Sequence, residues 1–142
     1  MKQVFTLILL LFCAISFSQS KLKFEKDTID VGTITIETDS AGHETLPEIK
    51  LDFQFVNAGN EPLIITSATG NGSGTAEYPK NPIVPKQKGV IHAKFTRYRY
   101  TGYLKKDEDA RAFVTSIVVQ GNFPEKQKFI CIKGYVKKKK KK

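Results

Sequence analysis

EIKLDFQFVN, residues 48–57, is the segment that decides the fold class. Its apolar residues Ile49, Leu51, Phe53 and Phe55 alternate with polar ones. Because successive side chains of a β-strand point to opposite faces, one face of this strand is apolar and the other is polar. The pattern is typical of an antiparallel sheet that buries one of its faces. We therefore expect Phe53 and Phe55 to lie in the core.

Strand patterns also lie on both sides of this segment, and no amphipathic helix of ordinary length is visible. The predicted strands, in addition to 48–57, are 21–26, 31–37, 62–69, 90–98, 111–120 and 128–136. Seven or eight short strands without helices between them predict an all-β domain. An antiparallel β-sandwich fits best, and a closed barrel is the alternative. Across this sandwich, the two phenylalanines are expected to face Ile91, Phe95 and Ile132.

Strand 111–120 has apolar residues on both of its sides. Phe113 and Ile117 lie on one side, and Val114 and Val118 lie on the other. We expect both sides of this strand to be covered, because a strand buried on both faces has a nearly continuous apolar sequence.

Residues 1–18 have the three-part pattern of a secretory signal. A positive start at Lys2 precedes an apolar run too short to span a bilayer, and small residues precede a cut at Gln19. Cys13 follows Phe12 rather than a small residue, so lipoprotein anchoring through Cys13 is not expected. The pattern predicts export to the periplasm or the cell exterior.

The positive charge is concentrated at the C-terminal end. Lysines 137–142 contribute six of the nine net positive charges and Lys2 contributes one, which leaves two for residues 19–136. The net positive charge of the chain therefore does not indicate a nucleic-acid-binding domain, and no nucleic-acid partner is expected. The predicted organisation is a signal peptide at 1–18, one β-sandwich domain at 19–136 and a disordered poly-lysine tail at 137–142.

Four segments, in order, resemble a family of bacterial secreted domains of unknown function. They are FEKDTIDVGTI at 24–34, FVNAGNEPLIIT at 55–66, YPKNPIVPKQKGVIHAKF at 78–95 and IKGYV at 132–136. The resemblance implies an immunoglobulin-like sandwich, related to the ASH and PapD-like domains. The residues that match its hallmark, to which we assign structural roles, are Phe55, Asn57, Gly59, Pro62, Leu63, Tyr78, Pro79 and Gly134. In NAGNEP, residues 57–62, Asn57 is expected to hydrogen-bond to the backbone and Gly59 to supply a positive φ.

The sequence departs from the family pattern at three places, and one of them is the segment RYRYTGYLKKDEDARAF at 97–113, where members of the family tend to be shorter. Members of the family often carry Cys-Gly-Cys-Thr where this chain has Gly72–Thr75, so the chain is a variant without those thiols. Lys86 stands where the family usually has glycine. We expect the glycine-rich stretch Gly70–Gly74 to be an exposed loop without a ligand. Prolines follow it in place of a helix N-terminus, which argues against a phosphate-binding turn.

A basic aromatic patch is a possible binding site, because guanidinium groups and aromatic rings stack on sugars and bases. Its residues are Arg97, Tyr98, Arg99, Tyr100, Tyr103, Lys105 and Lys106. The plainer interpretation is that these side chains cover the end of a sheet.

No cofactor, metal site or enzyme activity is expected. His43 and His92 are isolated in the sequence, and no cluster has metal-ligand spacing. Cys131 is predicted to point away from the core, opposite Ile130 and Ile132, where it would be partly exposed. We therefore expect an exported, non-catalytic immunoglobulin-like module for protein binding or structural support at the bacterial cell envelope. Its partner would be another envelope or secreted protein. The alternative is adhesion to anionic glycans or lipid headgroups through the basic aromatic patch and the lysine tail.

Overall fold

The computed structural model describes residues 18–38, 40–42, 44–45, 47–70, 74–96 and 110–139. Every regular element within these ranges is a strand, which confirms the predicted all-β class. The strands are β1 Leu22–Phe24, β2 Thr28–Thr38, β3 Glu44–Thr45, β4 Ile49–Asn57, β5 Ile65–Gly70, β6 Gly74–Glu77, β7 Lys88–Phe95, β8 Ala110–Gly121 and β9 Gln127–Lys138. The described part of the chain contains no helix that could cross a membrane.

The strands form one hydrogen-bonded series in the order β1-β4-β7-β6-β5-β8-β9-β2-β3. All of its pairs are antiparallel except β2 and β9, which run parallel, so the sheet is mixed. The prediction of a purely antiparallel arrangement was therefore wrong. Nine strands lie in the described ranges, and the shortest of them, the two-residue β3, pairs with β2 only. The parallel pair arises because residues 25–27 carry the chain from β1, beside β4, to β2, beside β9.

The core has the composition that the alternating patterns predicted. Its buried apolar residues are Leu22, Ile34, Ile36, Phe53, Phe55, Leu63, Ile65, Ala68, Ile83, Ile91, Ala93, Phe95, Phe113, Ile117, Val119, Phe123, Ile130, Ile132 and Val136. One detail differs from the prediction. Ile91 and Phe95 both lie on β7, the strand next to β4, rather than facing it from another layer, and Ile91 is the direct neighbour of Phe53.

Strand β8 is buried on one side only. Phe113 and Ile117 are buried, whereas Val114 on the opposite side is 58% exposed and Val118 is half-buried. The expectation that both sides are covered was therefore wrong for Val114. The sequence pattern of a strand is the same whether an apolar side chain on its outer face is exposed to solvent or covered by another layer of the protein.

The glycine-rich stretch is less open than predicted. Gly70 is the last residue of β5, and Gly74–Glu77 form β6, which pairs with β5 and with β7. A Cβ atom added at Gly74 would lie 2.6 Å from the carbonyl oxygen of Lys94. Gly74 therefore allows two backbones to approach closely, and it has no positive φ. Residues 71–73 lie outside the described ranges.

The last strand continues into the lysine run. Strand β9 ends at Lys138, with Lys137 opposite Thr35 and Lys138 opposite Ile36 in the parallel pair. The backbone N–H of Lys139 donates to the carbonyl of Ile36 at 3.2 Å. Strand β9 therefore continues two residues past residue 136, the predicted end of the sandwich domain, because backbone pairing with β2 does not depend on the side chains.

Candidate functional site

Asn57 ties together three segments of backbone. It is buried at the end of β4, and its Nδ2 donates to the carbonyls of Glu61 at 2.7 Å and Ile83 at 2.9 Å. Its Oδ1 accepts hydrogen bonds from the N–H of Gly59 at 3.0 Å and of Lys21 at 3.3 Å. These four bonds use the full capacity of the side-chain amide. The side chain therefore connects the segments and has no hydrogen-bonding capacity left for a ligand.

Gly59 has a different role from the predicted one. Positive φ angles among the described glycines occur at Gly32 and Gly42, and Gly59 is not one of them. A Cβ atom at Gly59 would instead lie 2.1 Å from the carbonyl oxygen of Gln19. Glycine is needed there because the N-terminal segment passes directly over it, which a pattern of turn residues does not reveal.

The sequence did not identify a second asparagine with the same kind of role. The Nδ2 of Asn122 donates to the carbonyl of Pro62 at 2.9 Å, and its Oδ1 accepts from the N–H of Ile64 at 2.8 Å. The hydroxyl of Ser20, itself buried, donates to the same Oδ1 at 3.0 Å. The only local signal is that Asn122 stands in the segment GNFPE, residues 121–125, whose glycine and proline are typical of a turn, and an asparagine in a turn does not reveal distant partners.

The segment that precedes β1 is therefore part of the fold. Gln19 donates its backbone N–H to Asn60 Oδ1 at 2.8 Å and accepts the N–H of Asn60 at 3.1 Å. The hydroxyl of Ser18 donates to the carboxylate of Glu61. Residues on both sides of the predicted cut before Gln19 thus contact the domain.

The other hallmark residues also hold the backbone or fill the core. Leu63 exchanges two backbone hydrogen bonds with Ile83, at 2.9 and 2.8 Å. The hydroxyl of Tyr78 donates to the carbonyl of Thr66 at 2.7 Å, and the ammonium group of Lys80 lies 3.4 Å from the centre of its ring. A Cβ atom at Gly134 would lie 2.4 Å from the carbonyl oxygen of Gly32. Phe55 is buried, the carbonyl of Pro62 accepts a hydrogen bond from Asn122, and Pro79 is half-buried.

The outer face of β4, β7 and β6 is charged, and its charges are paired with one another. Nδ1 of His92 lies 2.7 Å from a carboxylate oxygen of Asp52. The carboxylate of Glu48 lies 2.6 Å from the ammonium group of Lys94 and 3.2 Å from that of Lys50. The hydrogen bond from Lys94 is the main cause that lowers the pKa of Glu48. This is the behaviour of a solvated face, and no metal-binding group of His, Cys, Asp and Glu occurs in the described ranges.

The outer face of β8 and β9 is apolar by comparison. Val114 is 58% exposed, Tyr135 is 55% exposed and Phe129 is 50% exposed. Phe129 lies opposite the half-buried Val118, and Cys131 lies opposite Ser116 on the same face. We call Val114, Val118, Phe129, Cys131 and Tyr135 the β8–β9 face, on which the exposed Lys133 lies opposite Val114. Neighbouring apolar side chains on an outer face are typical of a surface that contacts another molecule.

Cys131 is the free thiol of this face, and it points away from the core as predicted. Burial raises its pKa, and the carboxylate of Asp27 raises it further. Since the thiolate is the nucleophile and the metal ligand, a raised pKa disfavours both roles. The environment of Cys131 is therefore that of a packing residue.

An open groove of about 450 Å³ adjoins the β8–β9 face at Phe129. Its walls come from β1, from the crossing segment 25–27 and from the start of β9. The residues that line it are Lys23, Phe24, Asp27, Gln127, Lys128 and Phe129. The groove combines two aromatic rings with basic side chains and lies between β1, the first strand of the series, and the start of β9.

The basic aromatic patch predicted at Arg97, Tyr98, Arg99, Tyr100, Tyr103, Lys105 and Lys106 lies outside the described residues, as does His43. His92 is exposed on the charged face, and its described partner is Asp52. The residues that sequence reasoning missed are Phe129 and Tyr135. Their alternation with the buried Ile130, Ile132 and Val136 places them outside, and aromatic rings at outward positions were the available signal.

These features define an all-β domain with one charged outer face and one apolar outer face. The chain belongs to the family described as protein of unknown function (DUF1573), whose model matches residues 22–136. The resemblance to a family of domains of unknown function is thereby confirmed. A comparison with curated proteins found no match.

The solved structures that are similar to this chain include the following two. A protein of unknown function from Porphyromonas gingivalis W83 matches with 19% identity and a TM-score of 0.56, over 87% of this chain and 50% of that one. The chain thus spans about half the length of this relative, and the likeness shows a shared fold. The VesB protease of Vibrio cholerae matches with 8% identity and a TM-score of 0.41, over 84% of this chain and 32% of that one.

Proposed function

We propose that this chain is an exported, non-catalytic immunoglobulin-like module that binds another protein, or supports one structurally, at the bacterial cell envelope. The sandwich is inferred from the strand series and the core. β1 lies at one end of the series and β2 near the other, and they are joined by a crossing of three residues. The core side chains of β4 and β7 belong to the same buried cluster as those of β8 and β9, as in two packed layers.

The observation that carries the binding role is the contrast between the two outer faces. On the face of β4, β7 and β6, charged groups pair with one another in solvent. On the β8–β9 face, Val114, Phe129 and Tyr135 each expose half or more of their surface. Aromatic side chains are enriched in protein interfaces and charged residues are depleted from their centres. The proposed partner is therefore another envelope or secreted protein.

Export is supported by the pattern of residues 1–18. Gln19 and Ser20, which follow the proposed cut, hydrogen-bond to Asn60 and Asn122. A cut before Gln19 would leave these contacts with the mature domain. The proposed location is the periplasm or the cell exterior, without a lipid anchor at Cys13.

Adhesion to anionic glycans or lipid headgroups is the second candidate. Lys137 and Lys138 are exposed at the end of β9, and Lys139 follows them. Clustered lysines near an anionic surface contribute roughly 1 kcal/mol each, and salt weakens their effect. This candidate predicts binding that fails at high ionic strength, whereas contacts through the apolar face persist there.

The experiment is a capture assay with the mature chain, residues 19–142, immobilised and exposed to an extract of the cell envelope. We expect a defined protein to be retained at 0.5 M salt, and then to bind as a purified component. The variant that combines Val114→Lys and Tyr135→Lys should lose this protein, because two charges would be desolvated in the interface.

The matched control combines Gln54→Lys and Glu77→Lys on the charged outer face and should retain the protein. Circular dichroism of both variants verifies that they are folded. If the two variants capture the same protein equally well, the β8–β9 face is not the binding surface. If binding disappears at high salt and with deletion of lysines 137–142, adhesion to anionic surfaces is the better description.

A further inference from the structure

The groove between β1 and β9 has hydrogen-bonding edges on two of its walls. Strand β2 begins at Thr28, which lies opposite Cys131. The earlier residues of β9, from Gln127 to Ile130, therefore have β8 on one side and no described strand on the other. A sheet edge of this kind is a template for pairing with another chain.

The direction of the backbone groups on β9 follows from one hydrogen bond. The N–H of Cys131 donates to the carbonyl of Asp27 at 2.7 Å, so the backbone groups of Cys131 point away from β8. Because these directions alternate along a strand, the N–H and C=O of Phe129 point to the same side. No described backbone group pairs with them there.

The same reasoning applies to β1 on the opposite wall. The carbonyl of Lys21 accepts the N–H of Ala58 at 2.8 Å, and the N–H of Glu25 donates to Gln54 at 2.9 Å, so both residues point to β4. The N–H and C=O of Phe24, one position away, point outward. Strand β1 is the terminal strand of the series, so no described strand pairs with Phe24 on that side.

The chemistry of the groove selects one kind of occupant. The rings of Phe24 and Phe129 supply apolar walls, and backbone donors and acceptors are available on both sides. Lys23 and Lys128 outnumber the single carboxylate of Asp27, although Lys128 also lies 3.3 Å from Glu125. An extended peptide with apolar side chains and acidic neighbours complements all three features.

We propose that this groove, which we call the strand-acceptor groove, binds an extended acidic and apolar segment of a partner protein as an added β-strand. The segment pairs with the backbone of Phe129 on one side and of Phe24 on the other. The crossing segment closes one end of the groove and sets where the added strand stops. This inference rests on the proposed function, since it specifies how a protein-binding module of this kind holds its partner.

The test uses the mature chain and a synthetic probe, an acetylated and amidated peptide of seven residues that alternates Glu and Val. Nuclear magnetic resonance should show saturable shifts at the amides of Phe24 and Phe129, and slower hydrogen exchange at both. A peptide that alternates Lys and Val should bind at least about 5-fold more weakly, because it places like charges beside Lys23 and Lys128. A Glu–Val peptide that is N-methylated at alternate residues should not bind.

Variants of the protein provide an independent readout. Lys23→Glu should weaken the Glu–Val peptide about 5-fold or more, since an attractive charge becomes repulsive. Phe129→Ala keeps the N–H donor and should weaken the peptide less than Phe129→Pro, which removes it. The variant that combines Val114→Lys and Tyr135→Lys lies outside the groove and should bind the peptide normally.

Absence of saturable binding at millimolar peptide would overturn the inference. So would binding that the N-methylated peptide reproduces, or exchange protection confined to other residues. In these cases the proposed function still stands if the β8–β9 variant loses its captured protein. Conversely, peptide binding without any captured protein would count against the proposed function and not against the groove.

Discussion

The ring of Phe55 occupies the space that a side chain on Gly89 would need. The two residues are cross-strand neighbours on β4 and β7, and a Cβ atom at Gly89 would lie 2.4 Å from Cζ of Phe55. Phe55 also makes an edge-to-face contact with Phe24, with ring centres 6.0 Å apart. The ring is therefore held between a glycine and a second ring, and it cannot move aside without losing contacts.

Gly89→Ala should consequently destabilise the domain by about 1–3 kcal/mol, as overpacking does in other cores. Urea unfolding of the mature chain measures this change. Phe55→Leu reduces the volume at the same site, so the double variant should be less destabilised than the sum of the single ones. Strictly additive effects would show that the two positions do not compete for one space.

Asn57→Ala should cost about 1–3 kcal/mol or more, because it leaves buried backbone groups without partners. The carbonyls of Glu61 and Ile83 lose their donor, and the N–H groups of Gly59 and Lys21 lose their acceptor. Thermal and urea unfolding provide the measurement. The matched control is Asn60→Ala, since Asn60 is exposed and its Oδ1 accepts a single described hydrogen bond, from Gln19. Equal losses in the two variants would contradict the central role of Asn57.

The sequence correctly predicted those features of the fold that depend on a single strand. Alternation placed Phe53 and Phe55 inside and Cys131 outside, because the side-chain period of a strand depends on no other part of the chain. It did not reveal that Thr28 pairs in parallel with Cys131, since an edge strand has the same alternation in either direction. The exposure of Val114 was missed for a similar reason, because no pattern within β8 states whether another layer covers it.

Glycines were the residues most often misinterpreted. Gly59 was expected to supply a positive φ and Gly74 to lie in an exposed loop, whereas both allow another backbone to come close. A close approach involves residues distant in sequence, here Gln19 and Lys94, so it has no local signal. The candidate groove was missed for the same reason, because Phe24 and Phe129 are brought together by the order of the strands.

Lys86→Gly should stabilise the domain. Lys86 has a φ of 67°. It lies in a turn of residues 84–87, which is closed by a hydrogen bond of 3.0 Å from the N–H of Gln87 to the carbonyl of Val84. With Pro85 before it, Lys86 occupies the position of a type II turn that favours glycine. A left-handed conformation costs a non-glycine residue about 1–2 kcal/mol. Glycine avoids this cost, but it loses more conformational entropy on folding, which cancels about 0.5–1 kcal/mol of the gain. A net gain near 0.5–1 kcal/mol is expected from these principles.

Differential scanning calorimetry would detect this gain as a higher melting temperature. The control is Lys88→Gly in β7, a non-glycine position without a positive φ, which should be destabilising by about 0.5–1 kcal/mol. A lower melting temperature for Lys86→Gly would show that the lysine side chain contributes more than its backbone conformation costs.

Cys131 should react slowly with iodoacetamide while the protein is folded. Burial and the carboxylate of Asp27 raise its pKa, so less thiolate is present than in the unfolded chain. At pH 8 we expect alkylation to be at least about 10-fold faster in urea. The raised pKa also fixes the sign of a stability effect. The pKa of the Cys131 thiol is higher in the folded protein than in the unfolded chain, so the free energy of unfolding falls as the pH rises from the lower of these two pKa values to the higher. Cys131→Ser should remove this fall. Rapid alkylation of the folded protein would contradict the assigned environment.

Gly74→Cys should destabilise the domain, although the resemblance places a thiol in this region of related chains. A Cβ atom at Gly74 would lie 2.6 Å from the carbonyl oxygen of Lys94, and that oxygen belongs to the neighbouring strand β7. Because backbone cannot yield as a flexible side chain does, we expect a cost of about 1–3 kcal/mol in urea unfolding. Gly74→Ala should cost about as much, since the clash arises at Cβ and not at the sulfur. The control Thr75→Ala removes an exposed side chain from the next position and should cost less. If Gly74→Cys is neutral while Gly74→Ala is not, the thiol makes a compensating contact that the wild-type geometry does not contain.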